Sequence, residues 1–173
     1  MDGFNLRHLA LAMALSTCMG TTFAATSNEF VDKAAAGGIA EIEAGRLALE
    51  KSQSADIKAF ANMIIADHGK ANDELAAIAK KNDIEVPDDT TLVKQAKEKI
   101  LDMRDESFDA AYANNQVKAH EEAIELFKKQ ANTVTDDRTK GATELKGFAQ
   151  KMLPGLEKHL DMAKKLQAAH PSK

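Results

Sequence analysis

The segment IKAFANMIIADHGKANDELAAI, residues 57–78, decides the fold class, because its apolar side chains recur at alternating spacings of four and three residues. That spacing places them on one face of an α-helix, whereas a half-buried strand would alternate at every second residue. The only polar member of the series is a histidine, and the series reads Ile57, Ala61, Ile64, His68, Ala71, Leu75, Ile78. The segment therefore predicts an amphipathic helix that buries one ionisable side chain.

Three other long segments show the same periodicity, and nothing between them has the alternation of a strand. We predict long helices over 28–51, 54–82, 107–131 and about 141–168, and a short amphipathic helix over 90–103. The turn at 52–54 forces one antiparallel hairpin, and the polar loop 132–140 closes another. Since the connection between the hairpins is long enough to cross a bundle, the pattern predicts an all-α, ferritin-like four-helix bundle.

A proline and three glycines inside the predicted helices lead to two further predictions. Pro154 lies inside the last predicted helix, where it removes one backbone hydrogen bond and predicts a kink. Gly37, Gly38 and Gly45 lie inside the first helix, where they predict close approach of a neighbouring helix.

The amino-acid composition limits the class of protein to which the chain can belong. The chain has 173 residues, of which 44% are hydrophobic, 29% charged and 5% aromatic, and it has no tryptophan. These values suit one helical domain and exclude disordered and collagen-like chains. The net charge of −4 gives no electrostatic attraction to nucleic acid, so we predict no nucleic-acid partner.

The N-terminus has the pattern of a secretory signal peptide. Arg7 precedes an apolar run over 9–19, and Thr22 and Ala24 are the small residues at −3 and −1 of a cleavage site. We predict a signal peptide over 1–24, a domain over 25–173 and export to the periplasm. The apolar run is shorter than the roughly 20 residues of a spanning helix, so cleavage would leave no transmembrane anchor.

A lipid anchor is the alternative for the same segment. Leu15-Ser16-Thr17-Cys18 resembles the lipidation box of bacterial lipoproteins, and lipidation of Cys18 would tether the domain to the outer membrane. Cleavage after Ala24 would instead remove the only cysteine, so that no thiolate ligand for a metal and no disulfide would remain.

One ionisable residue interrupts the apolar face of each long helix, and the four are Glu41, His68, His120 and His159. Neutral imidazole is the commonest metal ligand in proteins, and a buried carboxylate needs a partner. The four residues therefore predict a divalent metal site, with Zn²⁺, Fe²⁺ and Mn²⁺ not distinguished. A metal-free hydrogen-bond network of the same groups is the main alternative. Asp67, Tyr112 and Asn115 are candidates for supporting hydrogen bonds, whereas Glu43 is interpreted as salt-bridged or solvated.

The heights of these residues along the bundle argue against a single site. We count residues outward from the centre of each turn and take a rise of about 1.5 Å per residue. Along the bundle axis, Glu41 and His68 are then about 3 Å apart, but His120 and His159 are about 9 Å apart. Di-iron bundles need Glu-x-x-His on two helices, yet Ile65, Val117 and Leu156 stand three residues before the histidines. Ferritin-type ferroxidase chemistry is therefore disfavoured.

Four segments together resemble a known family. They are AAGGIAEIEAGRLA at 35–48, the segment 57–68 ending in Asp67-His68, the segment 108–112 with His120, and LPGLEKHL at 153–160. The resemblance covers about residues 28–167 and is to the bacterial domain of unknown function 4142, often labelled "predicted outer membrane protein" and assigned to the ferritin-like superfamily. The loop before residue 141 is longer here than the family pattern. The resemblance implies an exported helical bundle and no established reaction.

Three functional hypotheses follow. The first is a periplasmic bundle that binds a divalent metal for metal handling or envelope stress tolerance. The second is a non-catalytic structural or interaction module of the cell envelope, in which Glu41 and the histidines form a buried network. The third is an enzyme with a mononuclear metal centre, which is less favoured because the sequence supplies no separate acid/base pair.

Overall fold

A computed structural model describes residues 27–100, 108–136 and 139–172. These residues form five α-helices and no strand: α1 (Glu29–Lys51), α2 (Ala55–Lys81), α3 (Asp89–Ile100), α4 (Phe108–Ala131) and α5 (Ala142–Ala169). The prediction of an all-α bundle is confirmed. The predicted signal peptide and Cys18 lie outside the described residues. None of the helices described combines the length and apolarity needed to cross a bilayer.

Local hydrogen bonds fix where the first two helices begin. The side chain of Asn28 accepts a hydrogen bond from the Val31 N–H at 3.1 Å, as an N-cap residue should. Ser54 occupies the N-cap position of α2, but Asp56 accepts the Ile57 N–H at 2.8 Å, and the Ser54 hydroxyl donates to Asp56. Helix α1 ends before the short 52–54 turn and α2 begins directly after it, and the two helices pack as an antiparallel hairpin.

The four long helices form a closed ring of neighbours. Helix α1 packs against α2 and α4, and α5 packs against α4 and α2. The short helix α3 contacts α1, where its Leu92 and Ala96 are buried. Each long helix therefore presents one face to a shared interior, which is the condition for side chains from different helices to meet.

The interior contains two apolar clusters separated along the bundle axis. One includes Phe30, Phe127 and Phe148, whose ring centroids lie 5.1–6.4 Å apart. The other includes Phe60 and Tyr112. The residues that interrupt the apolar faces in the sequence fall between the two clusters on every long helix. A polar layer thus crosses the core.

The predicted 9 Å offset between His120 and His159 is wrong. Gln150 Nε2 donates to the Ala131 carbonyl at 3.4 Å, so the end of α4 lies beside residue 150 rather than beside the start of α5. His120 lies 11 residues before Ala131, and His159 lies 9 residues after Gln150. The two histidines therefore differ by about 3 Å in their position along the bundle axis.

The reason for this correction is that the second hairpin is asymmetric. About two turns of α5 precede residue 150, and in them Glu144 accepts a hydrogen bond from Asn82 Nδ2, at the end of α2, at 2.6 Å. Residues of α4 and α5 that are equally distant from the midpoint of the loop therefore do not lie side by side. Helix α5 runs unbroken through Pro154, and the kink stays a prediction.

Glycines let α1 approach α2 closely at two of the three predicted positions. A Cβ on Gly38 would overlap the Asn72 side chain, and one on Gly45 would lie 2.8 Å from Ile65 Cγ1 and 3.2 Å from the Ala61 carbonyl oxygen. A Cβ on Gly37 would meet nothing within 4 Å. The expectation of close approach is therefore confirmed at residues 38 and 45 and wrong at residue 37.

This difference predicts opposite effects of the same substitution. Gly45→Ala should lower the free energy of unfolding by about 1–3 kcal/mol, because the added methyl overlaps backbone and a packed side chain. Gly37→Ala should raise it by about 0.5–1 kcal/mol through helix propensity alone. Urea unfolding of the two variants measures both values. Shifts of the same sign would contradict the packing of α1 on α2.

Candidate metal centre

His68 on α2, His120 on α4 and His159 on α5 converge in the polar layer of the core. Their ring centroids lie 5.6 Å apart for His68 and His120, 5.7 Å for His68 and His159, and 5.4 Å for His120 and His159. Each ring offers one nitrogen such that all three nitrogens lie within 4.8 Å of one another. Nitrogens bound to one tetrahedral zinc ion are about 3.4 Å apart, so a shared ion would require these nitrogens to move closer by about 1.4 Å at most.

Each of these histidines has one buried nitrogen that finds no hydrogen-bond partner among the described residues. The three atoms are His68 Nε2, His120 Nε2 and His159 Nδ1. Burying such an atom without a partner costs about 1–3 kcal/mol. Three such atoms on three neighbouring rings point to a group that satisfies all three at once.

Hydrogen bonds on the opposite side of two rings fix which nitrogen carries the proton. His120 Nδ1 lies 2.8 Å from the carbonyl oxygen of Gln116, which can only accept, so Nδ1 donates and Nε2 keeps its lone pair. His159 Nε2 lies 3.1 Å from Asp67 Oδ2, so Nε2 donates to the carboxylate and Nδ1 keeps its lone pair. In both rings the nitrogen without a partner is the one able to bind a metal. Supporting bonds of this kind accompany metal-binding histidines.

Burial keeps the three rings neutral. It lowers the pKa of His68 to about 3, helped by His120 and His159, because a positive charge is costly away from water. It lowers the pKa of His120 to about 4, against the opposing hydrogen bond to Gln116. It also lowers the pKa of His159, against the opposing effect of Asp67. Neutral imidazole is the form that binds metals, so the site is ready for an ion at neutral pH.

A cleft between the four long helices reaches two of the three rings. Glu41, Asp67, His68 and His159 line it, whereas His120 does not. His120 is 1% exposed and His159 is 5% exposed. The chain therefore closes the site on the side of His120 and leaves an approach on the side of the other two histidines.

Glu41, the fourth predicted ligand, is buried but lies outside the group of nitrogens within 4.8 Å. Its position shows in its effect on Tyr112, whose pKa is raised above its usual value first by burial and then by the negative charge of Glu41. Three of the four predicted ligands are thus brought together. The fourth lines the cleft and lies close enough to Tyr112 for its charge to raise the pKa of that hydroxyl.

The supporting residues divide into those that the sequence indicated and one that it missed. Asp67 holds His159, as expected of a supporting residue, and Glu43 forms an exposed ion pair with Arg46. Asn115 lines the cleft. Gln116 was not singled out, although it stands four residues before His120 on the same face of α4.

Gln116 and Tyr112 extend the polar layer into the second apolar cluster. Both are 0% exposed, and Tyr112 Oη and both polar atoms of the Gln116 side chain have no hydrogen-bond partner in the described ranges. The spacing 112, 116, 120 was the signal that could have revealed Gln116, since residues four apart share one face of a helix.

Comparison with known proteins gives one match. A family model described as "Domain of unknown function (DUF4142)" matches residues 12–166, a range that includes all four predicted ligands. No curated protein and no solved structure matches the chain.

Proposed function

The chain belongs to the DUF4142 family, and from that premise we propose that it binds a divalent transition-metal ion through His68, His120 and His159 in the core of its bundle. The description of the family names no activity, so the proposal rests on the site. The observation that carries it is the convergence of three histidines from three helices, each of which has one buried nitrogen without a hydrogen-bond partner in the described part of the chain.

A metal ion accounts for this arrangement better than a metal-free network does. In a network, donors face acceptors, whereas His120 and His159 each keep a lone pair on a buried nitrogen because their N–H groups are committed to Gln116 and Asp67. Buried lone pairs on neighbouring rings attract a cation. The purely structural module therefore has less support than the metal site.

The three histidines limit which metal ions the site would bind. Three imidazoles without a thiolate suit Zn²⁺, and they also suit Fe²⁺, Mn²⁺ and the spectroscopic substitute Co²⁺. We propose a role in metal handling or envelope stress tolerance, supported by the signal-peptide pattern of residues 1–24. A non-catalytic envelope module remains the competing function.

Metal titration of the full chain tests the proposal. After treatment with a chelator, the protein should bind one equivalent of Co²⁺ with visible d–d absorption, and Zn²⁺ should displace it. Free metal at 100 times the dissociation constant should stabilise the fold by about 2.7 kcal/mol. That corresponds to a rise in melting temperature of roughly 5–10 °C.

Two histidine variants separate the core site from adventitious binding. His120→Asn should weaken Co²⁺ binding by more than the 10- to 100-fold that loss of a supporting hydrogen bond costs. The matched control is His170→Asn, because His170 lies at the C-terminal end of α5 and contacts Asp56 at 3.0 Å. Absence of stoichiometric metal from the wild type, or equal weakening in both variants, would refute the proposal.

A further inference from the structure

The cleft that reaches the three histidines is large enough to admit more than a metal ion. Its volume is about 1590 Å³, above the roughly 300–1,000 Å³ of ordinary ligand pockets. Small residues, including Gly37 of α1 and Ala119 and Ala123 of α4, line its walls. Because these side chains do not fill the space between the helices, the cleft extends to His68 and His159.

The number of protein ligands leaves one coordination position unassigned. Structural zinc sites take four ligands from the protein, whereas sites with three keep the fourth position for water or a substrate. In the described residues, the group of candidate ligands whose atoms lie within 4.8 Å of one another contains three histidines and no carboxylate. The unassigned position faces the cleft, because His68 and His159 line the cleft and His120 does not.

Glu41 is the buried carboxylate of the same cleft and the candidate to hydrogen-bond whatever occupies that position. It is 7% exposed, it lines the same cleft, and it lies outside the group of three nitrogens. A carboxylate beside a metal-bound water accepts a hydrogen bond from it. A negative charge on Glu41 would weaken the binding of an anion at that position, whereas a neutral side chain there would not.

We infer that the ion held by His68, His120 and His159 keeps a fourth position open to the cleft, where it exchanges small oxygen- or nitrogen-donor ligands. Glu41 hydrogen-bonds the water in that position and does not bind the ion. This inference rests on the proposed function, and it adds that the site is a ligand-binding centre rather than a closed structural one.

Azide titration of the Co²⁺-loaded full chain tests the inference, because azide is a small anion that changes the d–d spectrum when it binds cobalt. We expect a saturable spectral change with one azide per ion. Glu41→Gln should leave Co²⁺ affinity within about threefold and tighten azide binding several-fold, since it removes a nearby negative charge. The matched control is Glu43→Gln, because Glu43 pairs with Arg46 outside the site. It should change neither value.

The outcomes separate the inference from the proposed function. Absence of Co²⁺ binding overturns both. Co²⁺ binding with no spectral response of the wild type to azide overturns the inference alone, and this measurement needs no variant. If the wild type shows no spectral response to azide and Glu41→Gln loses Co²⁺ affinity tenfold or more, Glu41 is the fourth ligand, as the sequence predicted.

Discussion

Replacing Phe60 with alanine is expected to lower the free energy of unfolding by about 3–5 kcal/mol. Phe60 is 2% exposed, and its ring meets those of Tyr112 and His120 edge-on at centroid distances of 6.4 Å each. The substitution removes a large apolar group where the apolar cluster of Phe60 and Tyr112 meets the polar layer. The cavity it leaves would be bordered by polar side chains as well as apolar ones.

Chemical unfolding of the metal-free protein measures this loss. Phe60→Leu is the comparison, because it retains most of the volume and should cost less than about 1.5 kcal/mol. Phe60→Ala should also weaken Co²⁺ binding, since the ring of Phe60 packs edge-on against that of His120. A loss of less than 1 kcal/mol in Phe60→Ala would show that Phe60 does not support the core as the structure indicates.

Acidification should destabilise the metal-free protein well before its carboxylates titrate. The pKa of His68 is lowered to about 3 and that of His120 to about 4, while histidines of the unfolded chain titrate near 6.5. Between these values the unfolded chain binds more protons than the fold does. The free energy of unfolding should therefore fall as the pH falls from about 6.5 towards 4.

The expected slope is large. Each of these histidines contributes up to about 1.4 kcal/mol per pH unit at the steepest point. Urea unfolding at pH 7.5, 6 and 5 in the presence of a chelator measures it. The double variant His68→Asn/His120→Asn should flatten the profile, whatever its absolute stability. A wild-type profile that is already flat over this range would mean that the imidazoles are not held neutral by burial.

The helices and the candidate ligands could both be predicted from the sequence. Apolar spacing predicted the ends of α1, α2, α4 and α5 to within one residue of those observed. The prediction for the short helix extended to residue 103, beyond the described part of α3. His68, His120 and His159 were identifiable because each interrupts an otherwise apolar face, and a helical face is a local property of the chain.

The relation between helices was not predictable in the same way. Loop length predicted His120 and His159 to be about 9 Å apart in level, whereas the contact of Gln150 with Ala131 shows that α5 begins well beyond the end of α4. Such an offset is decided by which side chains pack between two helices, and residues distant in the sequence supply those contacts.

The sequence by itself determined an all-helical chain with one ionisable residue on the buried face of each long helix. The tertiary structure alone decided that three histidines meet, that Asp67 and Gln116 orient two of them, and that Glu41 faces a cleft outside the group. The physical reason is that periodicity fixes the face of a helix on which a side chain lies. Its height and its neighbours depend on packing between helices.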